Sequence, residues 1–199
     1  RFCRAGQTCG EGQIWPEGAG TVPGGDAAAT AEGGIGSASV VELDGKPYTM
    51  GALVLSNHAL FDDLIVAAAI HTLLDDSIPP HEDKGSIITV LATDIPLSDG
   101  SLRRLCRRAL VGLSRTGSYC GNGSGEIVIA FTTANRVPHY SEKALLPMTL
   151  LHDDAITLFR AVAECVEESV LSSLLHAETV TGNHGQTFHS LTELLKNRA

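Results

Sequence analysis

The stretch DKGSIITVLATD, Asp83 to Asp94, decides how the chain is read. From Ile87 to Thr93 the residues are mostly β-branched or apolar, the pattern of a strand buried on both faces. Turn residues commonly precede strands, so Gly85 is ordinary. Ser86 is less so. It takes the first strand position, where a hydroxyl, or an amine freed by a chain cut, would face a cleft. The polar segment before it, Asp75 to Lys84, carries Pro79-Pro80, which forbids continuous helix or sheet. An exposed linker therefore leads straight into Gly85-Ser86, and such a linker tolerates cleavage.

Working outward, strands are expected at Ser37–Leu43 and Tyr48–Ser56, joined by the hairpin signal Asp44-Gly45. A helix is expected over Leu60–Leu74. After the Ser86 strand, Ser98 or Asp99 caps a helix whose Leu102, Leu105, Cys106, Ala109, Leu110 and Leu113 follow the helical rhythm. Arg103, Arg104, Arg107 and Arg108 occupy its other side and read as a solvated face. The Gly-rich loop GSYCGNGSG, Gly117 to Gly125, precedes a second buried strand, EIVIAFTTA. From Asp153 or Asp154 a long amphipathic helix runs to about His176, with Ile156, Phe159, Val162, Val166, Val170 and Leu174 on its apolar face. Gly182 to Gly185 turns the chain. Ser190 and Glu193 form a capping-box pattern for a last helix. Residues 1–36 hold little that builds a core and read as loop-rich or poorly structured. Residues 37–199 then form one α/β (α+β) layered domain.

Composition narrows the function. The chain has 199 residues, 43% hydrophobic and 19% charged, with 23 acidic against 14 basic residues and a net charge of −9. That balance opposes general nucleic-acid binding, which needs clustered cations. No apolar run reaches the roughly 18 residues of a membrane span. The five cysteines, Cys3, Cys9, Cys106, Cys120 and Cys165, are odd in number and scattered, so they read as reduced thiols and suggest a cytoplasmic protein. The chain starts at Arg1 and reads as processed or truncated. His184 and His189 lack partner ligands for a metal.

The Gly-rich loop does not end in Gly-Lys-Ser/Thr, and Glu126 stands where a carboxylate would repel phosphate, so a nucleotide loop is disfavoured. Ser124 and Glu126, two apart at a strand start, share a face if the strand begins by Ser124. If their strand neighbours that of Ser86, the three residues come together. No Gly-x-Ser-x-Gly elbow is present. A free N-terminal serine offers another route to an activated hydroxyl. An α-amine has a pKa of about 7.7–8.0, so part of it is neutral near pH 7 and can accept a proton from its own hydroxyl.

The blocks GSIITVLATDIPL, GLSRTGSYCGNGSGEIVIAFTTAN and FRAVAECVEESVLSSLLHAETVTGNHGQTFHSL resemble the DmpA/BapA family of L-aminopeptidase/D-esterase and β-peptidyl aminopeptidase enzymes. GGIGSAS at Gly33–Ser39 and GALVLSNHA at Gly51–Ala59 resemble two further blocks, in the right order. The resemblance implies a four-layer αββα sandwich and a precursor that cuts itself at Gly85-Ser86. It implies Ser86 as the nucleophile, Ser124 and Glu126 as its hydrogen-bonded partners, and Asn57 as an oxyanion-hole donor. It implies peptide, amide or ester substrates, no metal or organic cofactor, and an oligomer of processed α/β heterodimers. Family precursors are longer, so an N-terminal portion that supplies strands and pocket residues is expected to be missing. The other reading is then a catalytically incomplete piece that acts only as a folded or assembly module.

Overall fold

The computed structural model describes residues 37–57, 86–122, 125–152, 156–181, 187–188, 190, 193 and 196. The expected helix over Leu60–Leu74, the linker before Gly85, the loop-rich segment 1–36 and the turn at 182–185 lie outside the described residues.

The hairpin forms where Asp44-Gly45 predicts it. Strand β1 (Ser37–Leu43) pairs antiparallel with β2 (Lys46–Asn57), Leu43 facing Lys46 across the turn. Asp44 (φ 49°) and Gly45 (φ 72°) both take the left-handed conformation that a two-residue hairpin turn requires. Strand β3 (Ser86–Thr93) lies antiparallel to β2, and β4 (Gly125–Thr132) lies parallel to β3, giving the order β1-β2-β3-β4. A parallel neighbour needs a crossover. Helix α1 (Asp99–Arg115) supplies it. Ser98 is its cap, accepting from Ser101 N at 3.1 Å. Its end is closed by Gly117 (φ 107°), with Gly117 N donating to Ser114 O and Ser118 N to Leu113 O. Helix α2 (Ile156–His176) packs beside it, and β5 (Val180–Thr181) with β6 (Thr187–Phe188) adds a small antiparallel pair that the sequence pattern did not announce.

Period-two alternation sends Met50, Val54, Ile87 and Leu91 to one sheet face, where Leu105, Leu113, Leu158 and Val166 of the helices bury them. The tightest seam is polar and small. Ala161, Cys165, Ser169 and Ser173 recur every four residues along α2, Ala177 follows just past its end, and all are buried. Their size lets the helix approach β2. Ser169 Oγ donates to Ala52 O (3.2 Å), Cys165 Sγ to Met50 O (3.5 Å), and Ser56 and Ser173 share a hydroxyl hydrogen bond of 2.8 Å. The apolar face read for this helix holds at Val162, Val166 and Val170, which are buried, and at Phe159 and Leu174, which pack at its margin. Helix contact is closest at Gly112 of α1, buried against the α2 backbone.

Two readings change. The arginines of α1 are not all solvated: Arg104 and Arg108 lie over the Phe159 ring, 5.0 and 4.4 Å from its centre. The two guanidinium groups cover the Phe159 ring, which is only partly buried between the helices. Arg103 does follow the solvated pattern, bonding exposed Asp99 one turn back at 2.9 Å. Second, the strand at Ile87–Thr93 is buried on both faces only toward its end. Ile88 is 38% exposed, and its β4 neighbours Ile127, Ile129 and Phe131 are 54%, 53% and 43% exposed. Both helices lie on the other side, so among the described residues one apolar sheet face is uncovered.

At the far end, the capping pattern is present in its forward limb, Glu193 N donating to Ser190 Oγ at 3.2 Å. The Glu193 carboxylate also accepts from the Thr179 hydroxyl, which ties this segment to the exit of α2.

Candidate active site

Asn57 ends β2, Ser86 begins β3, and Gly125 begins β4. The register makes them one row: Asn57 pairs with Ser86, and Ser86 with Gly125. With strands about 4.8 Å apart, three backbones stand within about 10 Å across one end of the sheet. Two of the three chain ends here are strand starts. The β3-α1-β4 crossover brings the chain back to the end from which it left.

Ser86 is exposed, as its position at the sheet end requires. A Cβ built on Gly125 would meet Ser86 Oγ at 3.4 Å, so the hydroxyl lies over Gly125 and the missing side chain keeps the space around it open. Glu126 pairs with Ile87, one step inward. Alternation therefore sends its half-buried side chain toward the helix-covered face and the Ser86 side chain toward the open one. Gly85 and Ser124 lie outside the described residues, but Ser124 directly precedes Gly125 and so adjoins the same end.

The loop from α1 passes beneath Glu126. There the Cys120 thiol lies near the Glu126 and Ser118 side chains. Cys120 is exposed as a residue, yet its sulfur is partly screened. That burial pushes the thiol up from its ordinary range, and the Glu126 carboxylate pushes it the same way, while the Ser118 contact opposes them. The sequence reading counted Cys120 only among scattered thiols. Nothing in the spacing of CGNGSGE marks it, because the link to Glu126 depends on how the loop folds back. Among the described residues no cluster of metal-ligating side chains occurs.

A sheet layered with helices, with a serine opening a central strand, is the arrangement of N-terminal-nucleophile hydrolases. The comparisons agree. The chain superimposes on the L-aminopeptidase D-Ala-esterase/amidase of Ochrobactrum anthropi, described as a prototype for the serine aminopeptidases and a new variant of the Ntn hydrolase fold, with a TM-score of 0.73 and 34% identity over 86% of this chain and 48% of that one. The PH0078 protein of Pyrococcus horikoshii OT3 matches with a TM-score of 0.72 and 42% identity, over 83% of this chain and 46% of that one. The β-peptidyl aminopeptidase BapA of Sphingosinicella microcystinivorans is 36% identical over 180 residues, 80% of this chain and 45% of the relative. The model of peptidase family S58 matches residues 4–188, and the chain belongs to that family. It spans about half the length of the curated relatives it matches.

Proposed function

We propose that this chain carries the nucleophile and its partners in a self-processing serine aminopeptidase that releases N-terminal residues from peptides, amides or esters. The observation that carries the reading is the shared row of Asn57, Ser86 and Gly125, with Glu126 one residue on. In processing, Ser86 Oγ attacks the Gly85 carbonyl. The Oγ–C bond forms, the C–N bond breaks, and the hydroxyl proton passes to the nitrogen, which becomes the free amine of Ser86. Water then hydrolyses the ester. In turnover the same hydroxyl attacks the substrate acyl group. The Ser86 amine, partly neutral near pH 7, takes the hydroxyl proton and passes it to the amine or alcohol that leaves as the acyl–N or acyl–O bond breaks, and water then hydrolyses the acyl ester on Ser86. Ser124 and Glu126 orient that amine, and the Glu126 carboxylate balances the charge that develops on it. Asn57, at the end of the neighbouring strand, donates to the oxyanion.

Family membership supports the reaction class, as do a relative called a β-peptidyl aminopeptidase and a solved structure called an aminopeptidase. We place the working enzyme in the cytoplasm, consistent with Cys106, Cys120 and Cys165 as free thiols, and as an oligomer of processed heterodimers. No helix of the described residues is long and apolar enough to cross a membrane. The uncovered apolar sheet face favours a second reading, a piece that needs a further layer before it turns over substrate.

Mass spectrometry with turnover separates the two. The full-length protein should appear as two chains, one beginning at Ser86, and should hydrolyse aminoacyl p-nitroanilides. The Ser86→Ala protein should stay whole and inactive. A Ser86→Ala protein still cut at that bond defeats self-processing. These residues alone staying whole, while the full-length protein is cut, supports the need for a further layer.

A further inference from the structure

The end of β2 that bears Asn57 is held differently from the rest of the strand. Among the described residues the β1–β2 ladder stops at the pair Ser37–Ala52, so residues 53–57 pair with β3 alone. Such a stretch is an edge, secured by ladder hydrogen bonds on one side. Its second attachment comes from the helix layer. Ser56 and Ser173 are both buried, and their hydroxyls meet at 2.8 Å, joining positions 117 residues apart in the chain. Counting protons gives the direction of this bond. Ser173 Oγ has one proton and gives it to Val170 O at 2.8 Å. Ser56 therefore donates to Ser173. The relay from Ser56 through Ser173 ends on the α2 backbone.

We propose that Ser56 and Ser173 are positioning residues for Asn57: the buried hydroxyl relay ties the edge of β2 to α2 and keeps Asn57 opposite Ser86. Ser56 immediately precedes Asn57, and Asn57–Ser86 is the last pair of the β2–β3 ladder. A shift at Ser56 therefore passes to Asn57 through one peptide unit, with no later ladder pair to absorb it. The proposal rests on the reading that Asn57 donates to the oxyanion. Such a donor acts on the transition state, and a misplacement of about 1 Å can cost on the order of 10²-fold in rate. The relay should accordingly show itself in kcat and leave KM little changed. The same helix supplies a comparison. Ser169 Oγ donates to Ala52 O at 3.2 Å, a tether of similar kind. It meets β2 about 17 Å back along the strand from Asn57. There β1 and β3 flank the strand on both sides.

The test measures melting temperature and aminoacyl p-nitroanilide turnover on the full-length protein and its Ser56→Ala, Ser173→Ala, Ser169→Ala and Asn57→Ala variants, with the Ser56→Ala/Asn57→Ala double. Ser56→Ala leaves Ser173 its bond to Val170 O, so it should melt close to wild type. Its kcat should fall about tenfold with KM within about twofold. Ser173→Ala leaves the buried Ser56 hydroxyl without its acceptor, so it should lose the same kcat and more melting temperature. Ser169→Ala should lower the melting temperature and keep kcat. Adding Ser56→Ala to Asn57→Ala should cost no further kcat, because no donor remains to be misplaced. A wild-type kcat in Ser56→Ala, a loss in Ser169→Ala as large as in Ser56→Ala, or a full additional loss in the double variant each overturns the positioning role. The parent reading fails separately: full turnover in Asn57→Ala removes Asn57 from the chemistry and the relay's role with it. An impaired Asn57→Ala beside a fully active Ser56→Ala ends the positioning role alone.

Discussion

Gly112 offers the sharpest check on the packing that carries the site. A Cβ at this position would lie 2.6 Å from Ala163 O, 2.8 Å from Val166 Cβ and 3.1 Å from Glu167 N. The first and third obstacles are backbone and the second is a Cβ, so no rotamer change relieves them. Carbon contacts oxygen at about 3.3 Å or more, so α1 and α2 must part by about 0.7 Å. A gap of that size forfeits roughly a quarter to a half of each contact's energy. For about 40 interhelical contacts of about 0.15 kcal/mol each, the loss is about 2 kcal/mol, in line with measured overpacking. Replacing glycine within a helix returns about 1 kcal/mol. Gly112→Ala should therefore destabilise by about 1 kcal/mol or somewhat more. Gly100→Ala is the control: it lies in the first turn of the same helix, and its Cβ would meet nothing closer than Ser98 Oγ at 3.8 Å. It gains propensity without the clash and should stabilise by a few tenths of a kcal/mol to 1 kcal/mol. Urea denaturation of both variants reads the difference. If Gly112→Ala stabilises as Gly100→Ala does, the helices are not as close as described, and the reasoning fails.

Further expectations concern the core, the sheet end and pH. The Thr89 hydroxyl is fully buried without a hydrogen-bond partner, so Thr89→Val should raise stability by about 1 kcal/mol in the same denaturation experiment; a loss would mean the hydroxyl is satisfied. Asn57→Asp keeps an acceptor but removes the amide donor and adds charge. As oxyanion donor, Asn57 predicts a kcat loss of about 10²–10³ at near-normal melting temperature, and full turnover would remove Asn57 from the site. Burial raises the Cys106 thiol above its ordinary value, with a smaller opposing pull from Arg103. The folded state thus favours the protonated form, an advantage present below the unfolded pKa and lost as pH rises through the folded one. Alkylation of Cys106 should accordingly require a higher pH in the native protein than in urea; equal pH profiles would contradict this.

The sequence disclosed those parts of the fold that rest on local chemistry. Asp44-Gly45 specifies its turn because two left-handed residues are needed there, and Ser98 caps because its hydroxyl reaches a free N–H. Ser86 and Glu126 were legible as strand-start residues, and the condition that their strands be neighbours is met by the parallel pairing of β3 and β4. What stayed hidden depends on distant parts of the chain. The small row Ala161 to Ser173 on α2 was not read from the sequence, because its role depends on carbonyls that β2 supplies to Ser169 and Cys165. Arg104 and Arg108 looked solvated because Phe159 is far off in sequence. The open face of β3 and β4 is apolar enough to be covered, so composition reads it as buried, and composition says nothing of which residues do the covering.

The proposed cut before Ser86 falls where two ladders end. Ser86 is the terminal pair of both, with Asn57 on one side and Gly125 on the other. A cut before Ser86 leaves its pairs with Asn57 and Gly125 intact, whereas a cut one residue later would separate Ser86 from the rest of β3. The new amine therefore appears on a residue already fixed on both sides, and the hydroxyl does not have to be ordered again. The antiparallel pairing of β2 with β3 adds a second consequence. Residues 58–85 leave the sheet at Asn57 and return at Ser86, so whatever path they take, both ends of the segment sit one strand spacing apart at the same edge. The proposed cleavage at Gly85-Ser86 would release one of those ends at Ser86 itself.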